Sequence, residues 1–253
     1  MFVVVIKIIP TKNDTMKRML TTVALIIALF TGAFSQISLE GKAPAFKAKS
    51  TNGEINYPDD YFGKWTILFS HPAAFTPICS SEIIELALKK DEFKKLNTEL
   101  LVISADGHAS HIEWVKSLES ISYKNNDKVK IDFPLIGDPD LAVSKKYGLE
   151  NKFSKANRTI RKVIIVDPNN KIKAIFTYPD NVGRNVDEIL RTLIALQKTD
   201  KEDVLLPADW VEGNDVLLPP PSSVKESEKL TEKAKKDKSL YSYDWYFWFK
   251  KEK

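Results

Sequence analysis

The sequence predicts an α/β fold, with a central mixed sheet covered by helices on both sides. Three observations carry this reading. Compact apolar runs at 65–72, 99–106 and within 161–179 have the length and composition of buried strands. Helix-periodic segments alternate with them, which is the pattern of a sheet built through crossovers. With 43% hydrophobic and 28% charged residues in 253, the chain can bury a core and is not a disordered polymer.

Each element can be read in order. Alternation around "TNGE" (51–54) predicts a hairpin or extended arm. "WTILFSHP" (65–72) is a buried strand that Pro72 ends. From Cys79 to Leu96 the period becomes helical. Ile83, Leu86, Ala87, Phe93 and Leu96 share one face, and Lys89, Lys90, Lys94 and Lys95 face water. "ELLVISAD" (99–106) is a second buried strand and "HASHIEWVKSLE" (108–119) a second helix. "IDFPLIGDPD" reads as a loop before a short helix ending at Tyr147. Residues 161–179 read as two strands joined by an Asp-Pro-Asn-Asn turn, which makes the sheet mixed. "NVDEILRTLIALQK" (185–198) is an amphipathic helix.

The ends differ from this body. In residues 1–36, Lys17 and Arg18 precede the uncharged, mostly apolar run 19–34, and Ala33 and Ser35 have signal-peptidase spacing. A signal peptide cleaved before Gln36 is expected, with an uncleaved membrane anchor as the alternative. Met16 is the expected start. An N-terminal sequence beginning within 1–15 would exclude that start. The body is then a domain at 37–198 followed by an appended region at 199–253. That region has proline-rich stretches, a Lys/Glu-rich helix at 225–238 and the aromatic end "LYSYDWYFWFKKEK". Such an end is costly to leave in water. It should pack on its own core, on a partner subunit or on a membrane surface.

Composition narrows the partners. A net charge of +4 spread over 38 basic and 34 acidic residues gives no basic stripe, so no nucleic-acid partner is expected. His71, His108, His111 and one cysteine lack zinc spacing, and no haem or flavin motif occurs, so no metal or cofactor is expected.

The single cysteine, Cys79, has no partner for an internal disulfide. It is either an inert small hydrophobe or a reactive thiol. Its position favours chemistry. It falls in the first turn of a helix, where Pro77 fits the start and free amides favour an anionic sulfur. Glu82 reads as a carboxylate placed in that same turn by the helix dipole.

These residues resemble the active-site motif of the peroxiredoxins, Pro-x-x-x-Thr-x-x-Cys, filled here by Pro72, Thr76 and Cys79, with Ser80 where threonine is common. The resemblance covers roughly residues 40–250 and includes "LFSHP" and "GRNVDEILR" (183–191). "PADW" (207–210) and the long extension resemble the one-cysteine, peroxiredoxin-six-like subfamily. It implies a thioredoxin-like fold, a homodimer and a thiol-dependent peroxidase acting on hydrogen peroxide or organic hydroperoxides. On that pattern Cys79 is the nucleophile, Thr76 binds peroxide and Pro72 shields the thiol. Arg161 lies against the sulfur, in preference to Arg158 in the preceding loop. Arg184 pairs with Glu82. His71, beside the motif, could assist ionisation.

Without a second cysteine, the oxidised sulfur must be reduced by an external thiol or another reductant. Relatives credited with phospholipase activity use a serine in a "GDSWG"-like stretch. Here "FGKWT" (62–66) puts Lys64 there, and no G-x-S-x-G occurs, so hydrolase activity is not expected. A dithiol reductase needs Cys-x-x-Cys, and Thr76 stands at its first position. The remaining alternative is a redox sensor without turnover, or a chaperone-like binding protein, on the same fold.

Overall fold

The computed structural model describes residues 37–252, apart from 125 and 127. The expected signal segment, 1–36, lies outside the described residues. Strands β1 (Phe46–Ser50) and β2 (Gly53–Tyr57) form the hairpin around "TNGE". Gly53 has φ +105°, a conformation open to glycine and strained for other residues.

The body continues through β3 (Trp65–Ser70), α1 (Pro77–Lys95), β4 (Thr98–Ser104) and α2 (His108–Glu119). It then runs through β5 (Leu135–Gly137), α3 (Ala142–Tyr147), β6 (Arg161–Val166), β7 (Ile172–Tyr178) and α4 (Val186–Lys201). One seven-stranded sheet results, in the order β2-β1-β5-β4-β3-β6-β7. Strands β3, β4 and β5 are parallel; β6 runs antiparallel to β3.

The two faces have separate cores. Because side chains alternate along a strand, Ile67 and Phe69 point to one face and Leu68 to the other. On the first face α1, α2 and α4 contribute Ile83, Leu86, Trp114, Leu118, Ile189 and Leu193. On the second, Phe46 and Tyr57 of the hairpin and Tyr147 of α3 cover Leu68, Ile103 and Ile164. Each fully buried aliphatic or aromatic side chain contributes about 2 kcal/mol. All six residues of β3 are buried, as expected of a central strand covered twice.

Three expectations change. "LIG" at 135–137 is a strand, not loop: Val102, Ile103 and Ser104 pair with Leu135, Ile136 and Gly137. A three-residue strand behind Pro134 is too short for alternation to show. Strand β3 stops at Ser70, two residues before Pro72. Helix α1 starts at Pro77, so Glu82 is its sixth residue and lies outside the first turn. A carboxylate there does not answer the helix dipole, which acts on the first turn.

The region beyond α4 adds β8 (Val216–Leu217), α5 (Val224–Lys236), β9 (Leu240–Asp244) and β10 (Phe247–Lys250), with a small sheet in the order β8-β10-β9. Arg191 Nη1 donates to the Trp210 carbonyl at 2.8 Å, and Lys198 meets Glu252 at 3.1 Å, tying the extension to α4. The aromatic end folds into the β9–β10 hairpin. Tyr241, Tyr243, Phe247 and Phe249 form a ring ladder with centroids 5.1–5.9 Å apart. Trp248 is buried, but Tyr243 is 74% and Trp245 61% exposed. Among the described residues no helix is long and apolar enough to cross a membrane.

Candidate active site

The turn from β3 into α1 brings the motif residues together at the edge of the first core. His71 extends the ladder by one bond, its N–H donating to the Ile103 carbonyl at 3.0 Å. Pro72 follows and is buried. Thr76 is the residue before α1, and its backbone carbonyl accepts the Ser80 N–H at 2.9 Å. Its hydroxyl does not cap the helix. It donates to the Ala73 carbonyl at 2.9 Å, which leaves its oxygen lone pairs as acceptors. Pro77 opens the helix without wasting a donor, and Cys79 is the third helical residue.

Cys79 has no solvent exposure and packs within the core cluster. Burial alone would fit an inert cysteine equally well. What separates the readings is Arg161, the first residue of β6. Its Nη1 lies 3.3 Å from the Cys79 Sγ and 2.7 Å from Glu82 Oε2. The far side of the same guanidinium is pinned, with Nε and Nη2 both donating to the Asp180 carbonyl at 3.1 and 3.0 Å. Arg158 is exposed, in the preceding loop.

Arg184 completes the cluster. Its Nε and Nη2 clasp the Glu82 carboxylate at 2.8 and 2.7 Å, and its backbone N–H adds a third bond at 2.9 Å. Its Nη1 donates to the Ser70 and Lys162 carbonyls, and its plane stacks 3.3 Å from the Phe69 ring centroid. Burial draws the Arg184 pKa below its ordinary value, and the bonds to Glu82 oppose that shift. Glu82 is 2% exposed and accepts four bonds, three from Arg184 and one from Arg161. The pair expected from the resemblance, Glu82 with Arg184, is present. Two buried guanidiniums face one carboxylate, so the cluster carries one unbalanced positive charge beside the sulfur.

His71 is brought close in sequence but not into a hydrogen bond with the sulfur. Both ring nitrogens are buried without a hydrogen-bond partner. Burial holds its pKa well below the ordinary histidine value, and the neighbouring His111 pushes the same way. The ring packs against Trp114 and His111, at centroid distances of 5.0 and 5.7 Å. Lys64 forms a surface ion pair with Glu99 at 2.6 Å, on a different part of the fold. Among the described residues no three His, Cys, Asp or Glu side chains converge to hold a metal ion.

Sequence reasoning passed over the Asp180 carbonyl that anchors Arg161. It also missed Ser104, Asp106 and His111, which reach the motif loop from behind. The polar Ser-x-Asp ending an apolar strand was the available signal.

A mixed sheet with a sulfur at the first turn after its third strand, held by a buried arginine, defines a thioredoxin-fold thiol enzyme. Comparison with known proteins refines this. The AhpC/TSA family matches residues 39–175, and the C-terminal domain of 1-Cys peroxiredoxin matches residues 195–233. A peroxiredoxin of Methanosarcina mazei is 44% identical over 212 residues, covering 83% of this chain and 95% of that one. A peroxiredoxin of Thermotoga petrophila is 46% identical over 212 residues, covering 82% and 94%. Among solved structures, a yeast mitochondrial 1-Cys peroxiredoxin superposes with a TM-score of 0.73 at 35% identity, covering 86% of this chain and 100% of that one. A cysteine-to-serine variant of peroxiredoxin 6 from Arenicola marina gives 0.74 at 29%, covering 86% and 99%. The chain belongs to the peroxiredoxins, the AhpC/TSA family. It is a thiol-dependent peroxidase with one cysteine.

Proposed function

We propose that Cys79 is the nucleophile of this peroxidase and that the Arg161–Glu82–Arg184 cluster activates it. The observation that carries this is the Arg161 Nη1 atom, 3.3 Å from the sulfur and pinned at its far end. A thiolate balances the extra positive charge of the cluster. It attacks one oxygen of the peroxide; the S–O bond forms as the O–O bond breaks. Sulfur gives up two electrons, Cys79 becomes a sulfenic acid, and the other oxygen leaves as water or alcohol once protonated. The Thr76 oxygen, with its own proton engaged by Ala73, accepts the peroxide O–H. The free N–H groups at the start of α1 receive the charge that develops on oxygen. Pro72 and the neutral His71 wall the thiol from water.

Reduction comes from outside the chain. One thiol displaces water from the sulfenic acid to give a mixed disulfide. A second thiol releases Cys79 and leaves with the first as a disulfide. The yeast relative is described as resolving its thiol through glutathione and thioredoxin systems, which supports a small or protein thiol here. In stopped flow, mixing the purified protein with hydrogen peroxide should give a fast second-order change in tryptophan fluorescence that Cys79→Ser abolishes. A wild-type rate equal to that of a free thiol would sink the assignment and favour a slow, stoichiometric sensor.

The protein acts as a homodimer, on this reading, and the exposed Tyr243, Trp245, Tyr246 and Phe247 of the β9–β10 hairpin support it. Four large aromatics on one hairpin form an apolar patch that a second copy would cover. Trp245→Ser combined with Tyr243→Ser should shift the sedimenting species from dimer to monomer. An unchanged dimer would place the contact elsewhere, the unpaired edge of β7 being the next candidate. Export through the segment 16–36 completes the proposal. A mature N-terminus at Gln36 would support it, and Lys17 retained in the native protein would exclude cleavage.

A further inference from the structure

The buried Ser104 and His111 and the partly exposed Asp106 form a polar chain that the peroxide chemistry above does not use. Asp106 Oδ2 accepts the Ala74 N–H at 2.8 Å and the Ser104 hydroxyl at 2.6 Å. Ser104 Oγ lies 2.9 Å from His111 Nε2 and accepts the Asp106 N–H at 3.1 Å. Proton counting fixes the direction. The ionised carboxylate cannot donate, so the one hydroxyl proton goes to Asp106, and His111 Nε2 carries the hydrogen that Ser104 accepts. Burial lowers the pKa of His111, against an opposing pull from Asp106.

The position of Ala74 gives the chain its meaning. The peptide unit between Ala73 and Ala74 is rigid and planar. Its N–H is held by Asp106, and its carbonyl accepts the Thr76 hydroxyl. One plane therefore links Asp106 to the hydroxyl proposed to receive peroxide. The next residue, Phe75, has φ +56°, so the loop bends against its intrinsic preference and needs an external hold. The other end of the tether is fixed as well. A side chain at Gly137 of β5 would meet His108 N at 2.4 Å and the Asp106 carbonyl at 2.9 Å, so β5 presses directly on the turn that carries Asp106.

We propose that Asp106 is a positioning residue for the peroxide pocket: by clamping the Ala73–Ala74 peptide it aims the Thr76 hydroxyl at the position of the substrate. This rests on the reading of Cys79 and Thr76 given above. The test compares the purified full-length protein with Asp106→Ala, Asp106→Asn and Ser104→Ala, measuring the second-order rate with hydrogen peroxide. The pH profile of Cys79 alkylation by iodoacetamide serves as a second readout. Asp106→Ala should react about tenfold to a hundredfold more slowly, since loss of aim is costly in rate. Asp106→Asn, which can still accept both bonds, should recover to within about threefold. Ser104→Ala, which keeps the Ala74 bond, should fall between them and covers the case in which Asp106→Ala does not fold. The alkylation profile should superimpose on wild type, because Arg161 and Glu82 stand outside the tether.

The proposal is overturned if Asp106→Ala matches a fast wild type. It is equally overturned if alkylation falls in step with the peroxide rate, or if Asn is no better than Ala. A wild type as slow as a free thiol would instead remove the assignment of Cys79, and this inference with it.

Discussion

Glu82→Gln is expected to lower the melting temperature by about 10 °C. The carboxylate is 2% exposed and takes four charge-assisted bonds from two guanidiniums. An amide of the same shape can accept some of them, but it removes the carboxylate charge that Arg161 and Arg184 share. Breaking a buried ion cluster by removing one member costs about 3–5 kcal/mol, because the remaining charges stay desolvated. In a domain of this size each kcal/mol moves the midpoint by about 2–4 °C. Calorimetry on the reduced protein checks the value. A shift under about 2 °C would mean that water reaches the guanidiniums and that the cluster is not a buried unit.

Arg161→Met should do the reverse, leaving the fold nearly intact and removing the chemistry. Its loss leaves Arg184 and Glu82 as a balanced pair, still clasped through two side-chain bonds. The Asp180 carbonyl loses two donors, but Asp180 is exposed and water can replace them. The sulfur, by contrast, loses its one side-chain hydrogen-bond donor among the described residues. Removing one preoriented donor from a reacting centre costs about a hundredfold or more in rate. The peroxide rate should fall by that factor, with alkylation of Cys79 slowing in parallel. A variant within about threefold of wild type would show that the arginine is structural and that the helix start alone activates the sulfur.

Both predictions depend on convergence that sequence could show only in part. Helix α2 was legible to the residue, because "HASHIEWVKSLE" keeps its period from end to end. The β6–β7 hairpin was legible from its turn chemistry. Cys79, Thr76 and Pro72 were legible because they are neighbours in one short stretch. Arg161 and Arg184 were placed by resemblance, since they stand 79 and 102 positions from Glu82 and no local pattern joins them. Glu82 shows the limit most clearly. Reading the helix as starting at Cys79 made it a first-turn carboxylate; starting at Pro77 moves it to a buried face, where its work is tertiary. Asp106 escaped notice for a related reason. Its partner is a backbone N–H, 32 positions away, and backbone donors leave no mark in a sequence.

The unbalanced charge of the arginine cluster has a consequence for the whole catalytic cycle. If Cys79 is the nucleophile proposed above, then once its thiolate becomes a neutral sulfenic acid the two guanidiniums and one carboxylate keep a surplus of one positive charge in a dry site. The oxidised intermediate is thus the electrically uncomfortable state, and any incoming anionic sulfur relieves it. On the proposed mechanism, the imbalance that readies the sulfur for peroxide would also draw in the reductant. Negatively charged thiols should regenerate Cys79 faster than neutral ones of equal basicity, a preference that added salt would erode.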